Sequence, residues 1–473
     1  MTNKKFYIIP AMIFKYITRR WRAKAGYFEF LSIALPLIIS IGAWAFQNFV
    51  DRFFLAWYSQ DAYAAAFPAG LLNTSILFIF LGTVSYIDVF VSQYNGKQEY
   101  KSIGPAIWQA IYFAVLSSII ISFFTLFSSD IFNSIGHSKD IIQEETKYFN
   151  VLCYGSFFCL VSSAFGGFYA GREKTKTVLL VNLIGIFVNI ILDYLLIFGN
   201  FGFPELGIEG AALATIIGYA VVSTVFLLLV ISKKNSIKFN TRQLKPNFNF
   251  LKRFIRFGLP SGIHMFLDIS VFTLFSIIVG TLGKLELSSS NIVMNTYNLA
   301  YMPLVGFGVT TSIMTGNYLG RNKASMAQKS VITASQIVFI FIIFTFLMFL
   351  LIPNLLIKPF ANGSEGLIIE QIRPTIIILF RFIAVFSLFE SLSIIFSSAI
   401  KGAGDTKFVM KLLIILFTTS SIAMYIATKY IGLYGCWSIL VIYGIILNAS
   451  CYLRYKSGKW KKMRVIEMKV IDG

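Results

Sequence analysis

Long apolar stretches alternate with short polar segments along almost the whole chain. A helix needs about 20 consecutive apolar residues to cross the hydrocarbon core of a bilayer. Twelve stretches reach that length, so the pattern predicts twelve membrane-spanning helices, numbered here spans 1 to 12. The predicted spans are 30–52, 65–92, 103–129, 146–170, 178–198, 207–232, 254–281, 288–318, 330–358, 375–400, 408–430 and 433–453. An even number of spans places both termini on the same side of the membrane.

The composition agrees with this pattern. Hydrophobic residues make up 57% of the 473 residues and charged residues only 13%, whereas soluble domains carry about 25% charged residues. The predicted fold class is therefore an all-α integral membrane protein. The lipid bilayer is then the main surrounding of the folded chain.

The distribution of positive charge predicts the orientation. The net charge is +20, and 33 of the 41 Lys and Arg residues fall in seven segments that the twelve-span arrangement puts on one face. These segments are 1–30, 97–101, 172–176, 233–256, 321–329, 401–411 and 454–469. Short cytoplasmic loops carry an excess of Lys and Arg, so both termini are expected in the cytoplasm of a multi-pass plasma (inner) membrane protein. A nucleic-acid surface would need these charges on one contiguous patch, so nucleic acid is not an expected partner.

The two halves of the chain resemble each other. A shift of 224 residues superimposes Pro36 on Pro260, Gly82 on Gly306 and Tyr94 on Tyr318. Each half holds six spans, so the halves form a parallel repeat, as in many transporters. The predicted organisation is an interfacial N-terminus (1–30), an N-terminal six-helix lobe (31–232), a cytoplasmic linker (233–253), a C-terminal six-helix lobe (254–453) and a basic tail (454–473).

Ionisable side chains remain inside the predicted spans, where they are costly and usually face a bundle interior or a water-filled cavity. They are Asp51, Arg52, Asp88, Asp193, His264, Asp268, Arg381 and Glu390.

Helical spacing sorts the acids of the first half into two polar stripes. Trp44, Gln47, Asn48 and Asp51 form one stripe on span 1, and Asn182, Asn189 and Asp193 form another on span 5. Carboxylate and amide oxygens suit a hard cation such as Na⁺, or a proton. The alternatives are a static salt bridge or a polar packing contact for Asp193, and a bridge from Asp51 to Arg52.

In the second half, His264 and Asp268 are four residues apart on span 7 and are expected to pair, while Glu390 lies on span 10. These three groups are candidates for a proton relay, a second cation site or a substrate contact. A structural hydrogen-bond network is the alternative. Asp88 lies near the end of span 2, where it reaches water.

Several chemistries lack support in the sequence. No phosphate-binding GxxxxGK[ST] loop and no metal-protease motif occurs, and only two histidines are present. The four cysteines lie inside predicted spans without metal-ligand spacing, so they are expected to be buried side chains. The chain is therefore expected to be no enzyme and to need no cofactor, although a lipid-modifying membrane enzyme stays a distant alternative.

Short motifs along the chain resemble those of the multidrug and toxic compound extrusion (MATE) family, bacterial multidrug antiporter type. In chain order they are ALPLIIS, FVDRFFLAW, QYNGK, FYAGREKTKT, VNIILDYLLIFG, GIEGAALAT, GLPSGIHMFLD, NYLGR and KGAGDTK. The resemblance covers residues 28 to 453 and rests on the order and repetition of these pieces.

This resemblance implies a V-shaped antiporter of two six-helix lobes that exports organic, often cationic compounds in exchange for Na⁺ or H⁺. It implies a cation site in the first lobe, able to hold Na⁺, built from Asp51, Asn189, Asp193 and Thr215 with the backbone of Ala211. Asp268 and Glu390 match acid positions that the bacterial branch uses in the second lobe.

Two residues depart from the family pattern: Arg52 follows the acid of span 1, and Asp88 replaces an uncharged position. Pro36 removes a backbone hydrogen bond from span 1, which makes a helix bend available. The expected function is efflux of cationic amphipathic drugs or toxins by Na⁺ or H⁺ antiport, with no obligate protein partner. The alternative is a flippase for lipid-linked or polysaccharide precursors with the same fold.

Overall fold

The computed structural model describes residues 18–360 and 366–467, and it is helical throughout, with no strand among these residues. Twelve helical segments are long and apolar enough to cross a membrane, which confirms the predicted number of spans. Spans 1 to 12 are Tyr27–Tyr58, Gln60–Lys97, Tyr100–Ile135, Lys139–Ala170, Thr175–Phe198, Gly207–Val230, Phe248–Gly280, Lys284–Gly320, Ala324–Leu351, Ile369–Ala403, Thr406–Ile431 and Leu433–Lys456.

Most spans extend beyond their apolar stretches. Span 4 begins at Lys139 rather than at 146, because a helix continues into polar sequence where no breaker stops it. Span 9 ends earlier than predicted, at Leu351, and a short helix Pro353–Ile357 follows. Proline has no N–H to continue a helix but suits the first position of the next one.

Short helices lie between or within the spans. Span 2 consists of Gln60–Ser85 and Ile87–Lys97, and Ser128–Ile135 forms the end of span 3. The predicted linker contains a short helix, Lys233–Phe239, and span 7 begins inside the predicted linker at Phe248. Residues 1–17 of the predicted N-terminal segment and 468–473 of the predicted tail lie outside the described residues.

Contacts divide the chain into two compact units. The first unit is drawn from Met1–Ile38, Phe275–Ala403 and Thr419–Met463, and the second from Ile39–Leu274, Gly404–Thr418 and Arg464–Gly473. The predicted lobes 31–232 and 254–453 follow other boundaries and stay a prediction.

Each unit contains a close helix contact that the repeat relates to the other. In the second unit a Cβ on Gly82 of span 2 would lie 2.8 Å from Gly262 Cα of span 7. In the first unit a Cβ on Gly306 of span 8 would lie 2.5 Å from Ile38 Cγ1 of span 1. The 224-residue shift maps Gly82 onto Gly306 and Ile38 onto Gly262, so the pair of contacts is consistent with an internal repeat.

Candidate functional site

Close packing of spans 5 and 6 brings the first predicted site residues together. A Cβ on Gly185 would lie 3.0 Å from the backbone oxygen of Gly218, so only glycine permits this approach. One turn further along span 5, the Asn189 side-chain amide donates a hydrogen bond to the hydroxyl oxygen of Thr215 at 3.4 Å. The two helices therefore present Asn189 and Thr215 as neighbours.

Span 1 adds the carboxyl group of Asp51. This group lies within hydrogen-bonding reach of the side chains of Asp193 and Thr215. Asp51, Asn189 and Asp193 are all buried. The structure thus gathers four predicted side chains, from spans 1, 5 and 6, into one polar cluster, which we call the two-carboxylate site (Asp51, Asn189, Asp193 and Thr215).

An apolar cluster packs at one end of this site. Leu55 and Ile197 lie one turn after Asp51 and Asp193, and Ala211 lies one turn before Thr215 on the antiparallel span 6. These three residues are buried against one another in that cluster. The structure therefore places Ala211 beside the site, and the cluster excludes water from that end.

Four oxygen atoms of the site lack donors. Oδ1 of Asp51, Oδ1 of Asn189 and both carboxylate oxygens of Asp193 are buried without a hydrogen-bond partner among the described residues. Buried acceptors without partners are rare because each costs free energy. Two carboxylates in contact also repel each other when both are ionised. Oxygens of this kind could coordinate a cation such as Na⁺, and a proton shared by the two carboxylates would remove the repulsion between them.

Neither of the salt-bridge alternatives is observed among the described residues. No basic side chain of the described residues lies within 4.0 Å of the Asp51 or Asp193 carboxylate. The exposed Arg52 side chain instead lies over the ring of Phe67, with its guanidinium carbon 5.2 Å from the ring centre. Its charge reaches Asp51 only through space.

Three other members of the two polar stripes, Asn182, Trp44 and Asn48, have separate partners. The Asn182 amide donates to the Ser40 hydroxyl at 2.8 Å, and the Trp44 indole donates to the Tyr219 hydroxyl at 3.1 Å. The Asn48 amide donates to the backbone of its own helix. Ser40 and Tyr219 were missed from the sequence, although Tyr219 lies one turn after Thr215 on span 6.

The acids of the second half lie in two places. His264 Nδ1 lies 3.1 Å from Asp268 Oδ2, in the second unit. Glu390, in the first unit, is buried and accepts a hydrogen bond from the hydroxyl of Tyr297. Tyr297 was also missed, since nothing in the sequence distinguishes it from the rest of the 23 tyrosines.

The remaining candidates lie within helices. Pro36 is inside the continuous helix of span 1. Asp88 is in the first turn of Ile87–Lys97, where a carboxylate interacts favourably with the helix dipole. A structural role therefore accounts for Asp88.

Comparison with known proteins identifies the family. The sequence model of the MatE family matches residues 36–195 and 260–426, more than half of the chain. The chain belongs to the MatE family. MatE proteins are transporters, which confirms the resemblance seen in the sequence and the expectation that the chain is not an enzyme.

Named relatives cover nearly the whole chain. A probable multidrug resistance protein NorM of Thermotoga maritima is 25% identical over 442 residues, which is 93% of this chain and 94% of the relative. A second, from Photorhabdus laumondii, is 25% identical over 433 residues, covering 91% of this chain and 89% of the relative.

Solved structures share the MatE fold. A MOP superfamily transporter from Pyrococcus furiosus, whose binding pocket of reverse polarity suggests a different function, superimposes with a TM-score of 0.84 at 18% identity. It covers 94% of this chain and 98% of its own. An outward-facing multidrug resistance MATE transporter gives 0.83 at 19% identity, covering 93% of this chain and 98% of its own. At this identity the likeness establishes the fold alone.

Proposed function

We propose that this MatE transporter exports organic, cationic amphipathic compounds across a bacterial inner membrane by antiport with Na⁺ or H⁺. The names of the NorM relatives, which match along more than nine-tenths of the chain, support multidrug efflux. The positive charge collected on one predicted face supports a cytoplasmic location of both termini.

One observation carries the proposed ion coupling. The two-carboxylate site holds four buried oxygens without donors and no basic partner among the described residues. Such a site is costly when empty and ionised, so it gains a large free energy from one positive charge. Either Na⁺ or H⁺ can supply that charge, and efflux measured under an Na⁺ gradient and under an H⁺ gradient distinguishes the two ions.

Coupling follows from the position of Asp51. Its carboxylate faces Asp193 of span 5, so a cation between them draws span 1 toward spans 5 and 6. Pro36 leaves one backbone carbonyl of span 1 without its helical donor, so the helix bends there at lower cost. Antiport results when cation and cargo stabilise opposite states of the transporter.

The second candidate function is flipping of a lipid-linked anionic precursor. The exposed guanidinium of Arg52, which makes no ion pair with Asp51, is the observation that favours it. A single cation is weaker support than the family relationship, so drug efflux is the first proposal.

The test is ethidium efflux in everted membrane vesicles under an imposed Na⁺ gradient or an imposed H⁺ gradient. Wild type is expected to respond to one of the two gradients, and Asp193→Asn is expected to reduce that response to the passive leak. Asp268→Asn is the matched control, because it removes one carboxylate that has a histidine partner outside the two-carboxylate site.

Two other results of the efflux measurement would overturn part of the proposal. Efflux that survives in Asp193→Asn and is lost in Asp268→Asn moves the coupling to His264, Asp268 and Glu390. Absence of efflux under both gradients, with the protein inserted, removes the drug-export proposal and favours the lipid-linked cargo.

A further inference from the structure

The last described residues of the chain pack against the helices of the second unit. Residues 464–467, which we call the tail segment, belong to the second unit, whereas Thr419–Met463 belong to the first. Val465 and Ile466 are buried, with 1% and 6% of their surface exposed. A short segment beyond the last span buries two apolar side chains only when a groove receives them.

Span 2 forms one wall of this groove. The backbone N–H of Val465 donates to the side-chain oxygen of Gln93 at 2.9 Å, and Gln93 is fully buried. The Lys97 ammonium donates to the backbone oxygen of Glu467 at 2.8 Å. The tail segment is thus fixed to the end of span 2 by its backbone.

Span 7 forms the other wall through Arg253. One guanidinium nitrogen of Arg253 lies 2.6 Å from the Glu467 carboxylate, and the other donates to the Tyr94 hydroxyl of span 2 at 3.2 Å. Arg253 therefore joins span 7, span 2 and the tail segment. The Glu467 side chain is largely exposed, so its ion pair adds orientation more than stability.

The turn between spans 10 and 11 is shaped to the tail segment. Gly404 has a positive φ of +111°, and a Cβ there would lie 2.9 Å from Val465 Cγ1. Both the backbone conformation and the space at this position require glycine.

The repeat shows that Arg253 stands where the first unit has an acid. The 224-residue shift maps Arg253 onto Glu29 and Tyr94 onto Tyr318. In the first unit Glu29 is satisfied locally, since it accepts from the Ala25 N–H at 2.6 Å and from the Tyr318 hydroxyl at 2.7 Å. In the second unit the equivalent charge is reversed, and Arg253 receives its carboxylate from the tail segment.

We propose that the tail segment is a strap that holds the end of span 2 and the start of span 7 together. The strap limits how often the transporter opens on its predicted cytoplasmic side. Spans 2 and 7 belong to different predicted lobes, and rocking of lobes separates such helices. A segment that binds only the joined arrangement shifts the population toward it. Lys97, Arg253 and Glu467 come from three basic segments predicted on one face, and their contact fits that prediction.

The test compares a chain ending after Met463 with a chain ending after Glu467. One spin label is placed at Lys101→Cys, an exposed position at the start of span 3 shortly after span 2 ends, and the other at Lys252→Cys, an exposed position near the start of span 7. Pulsed electron paramagnetic resonance in lipid then reports the distance between the two labels. Removal of the strap is expected to raise the ratio of separated to joined molecules roughly tenfold, the change that loss of one buried contact implies. The chain ending after Glu467 is expected to match the full-length protein.

Two further measurements test the proposed strap. Gln93→Leu in the full-length chain removes the acceptor of Val465 and is expected to shift the distances in the same direction, even if the shortened chain does not fold. A free peptide of residues 464–473 is expected to restore the short distance in the chain ending after Met463. Equal distances in the two shortened chains, or no shift in Gln93→Leu, would overturn the strap. These distances need neither drug nor ion gradient, so they are independent of the proposed efflux.

Discussion

At the residue scale, the Thr215 hydroxyl orients the two-carboxylate site. It accepts the Asn189 amide N–H and lies within hydrogen-bonding reach of Asp51. Because the amide nitrogen of Asn189 is engaged in this way, its oxygen remains as an acceptor without a donor. The hydroxyl therefore links all three spans of the site without carrying charge.

Replacing this hydroxyl tests the cation site more gently than removing an acid. In Thr215→Val, Asn189 and Asp51 lose their shared partner, and a hydrogen bond to a charged group contributes about 1.5–3 kcal/mol. The cation concentration for half-maximal efflux is expected to rise about tenfold. Thr215→Ser keeps the hydroxyl and serves as the control. Equal cation dependence in the two variants would contradict the role of the hydroxyl.

Helical spacing predicted the faces of Asp51, Asn189 and Asp193, and the family resemblance added Thr215 and Ala211. Spacing alone did not predict which helix each face meets. Asn182 shares a stripe with Asn189 but bonds to Ser40. Partners of this kind depend on helix packing, which a single helix pattern does not contain.

At the element scale, small residues decide how closely helices approach. Membrane helices pack through van der Waals contact rather than through exclusion of water, so glycine at a contact is valuable. A Cβ on Gly262 of span 7 would lie 1.9 Å from the Ile79 backbone oxygen of span 2. By contrast, a Cβ on Gly42 of span 1 would meet nothing within 4 Å.

These two glycines form a matched pair for measurement. Gly262→Ala forces spans 2 and 7 apart, and overpacking of this kind costs about 1–3 kcal/mol. A lower melting temperature of the purified protein in detergent is expected. Gly42→Ala is expected to melt like wild type or slightly higher, because alanine favours a helix. Equal melting of both variants would show that spans 2 and 7 do not depend on this contact.

Hydropathy predicts some helix boundaries of this chain and not others. Apolar stretches locate the membrane-embedded core of each span, since only that part must avoid water. The polar ends of span 4 and span 7 were not predicted, because polar helix and polar loop look alike in hydropathy. Pro353 was present in the sequence as a breaker, and it marks the end that span 9 adopts.

At the scale of the whole molecule, the internal repeat relates contacts as well as residues. Gly82 with Gly262 and Gly306 with Ile38 are repeat-related contacts, and each lies inside one unit. The sequence comparison found Gly82 and Gly306 but not their partners, since Ile38 and Gly262 differ in type. Side-chain identity had diverged at that position while the helix contact had not.

The orientation of the twelve spans in the membrane can be tested without a transport measurement. The segment between spans 3 and 4 is expected outside the cell, and the linker after span 6 inside. All four native cysteines are buried, so a membrane-impermeant maleimide meets little background in wild type. Asp140→Cys and Lys234→Cys place single thiols at exposed positions on the two expected sides. Asp140→Cys is expected to be labelled in intact cells and Lys234→Cys only after permeabilisation. The reverse order would mean that the positive face lies outside, and labelling of both in intact cells would mean that these segments do not lie on opposite sides.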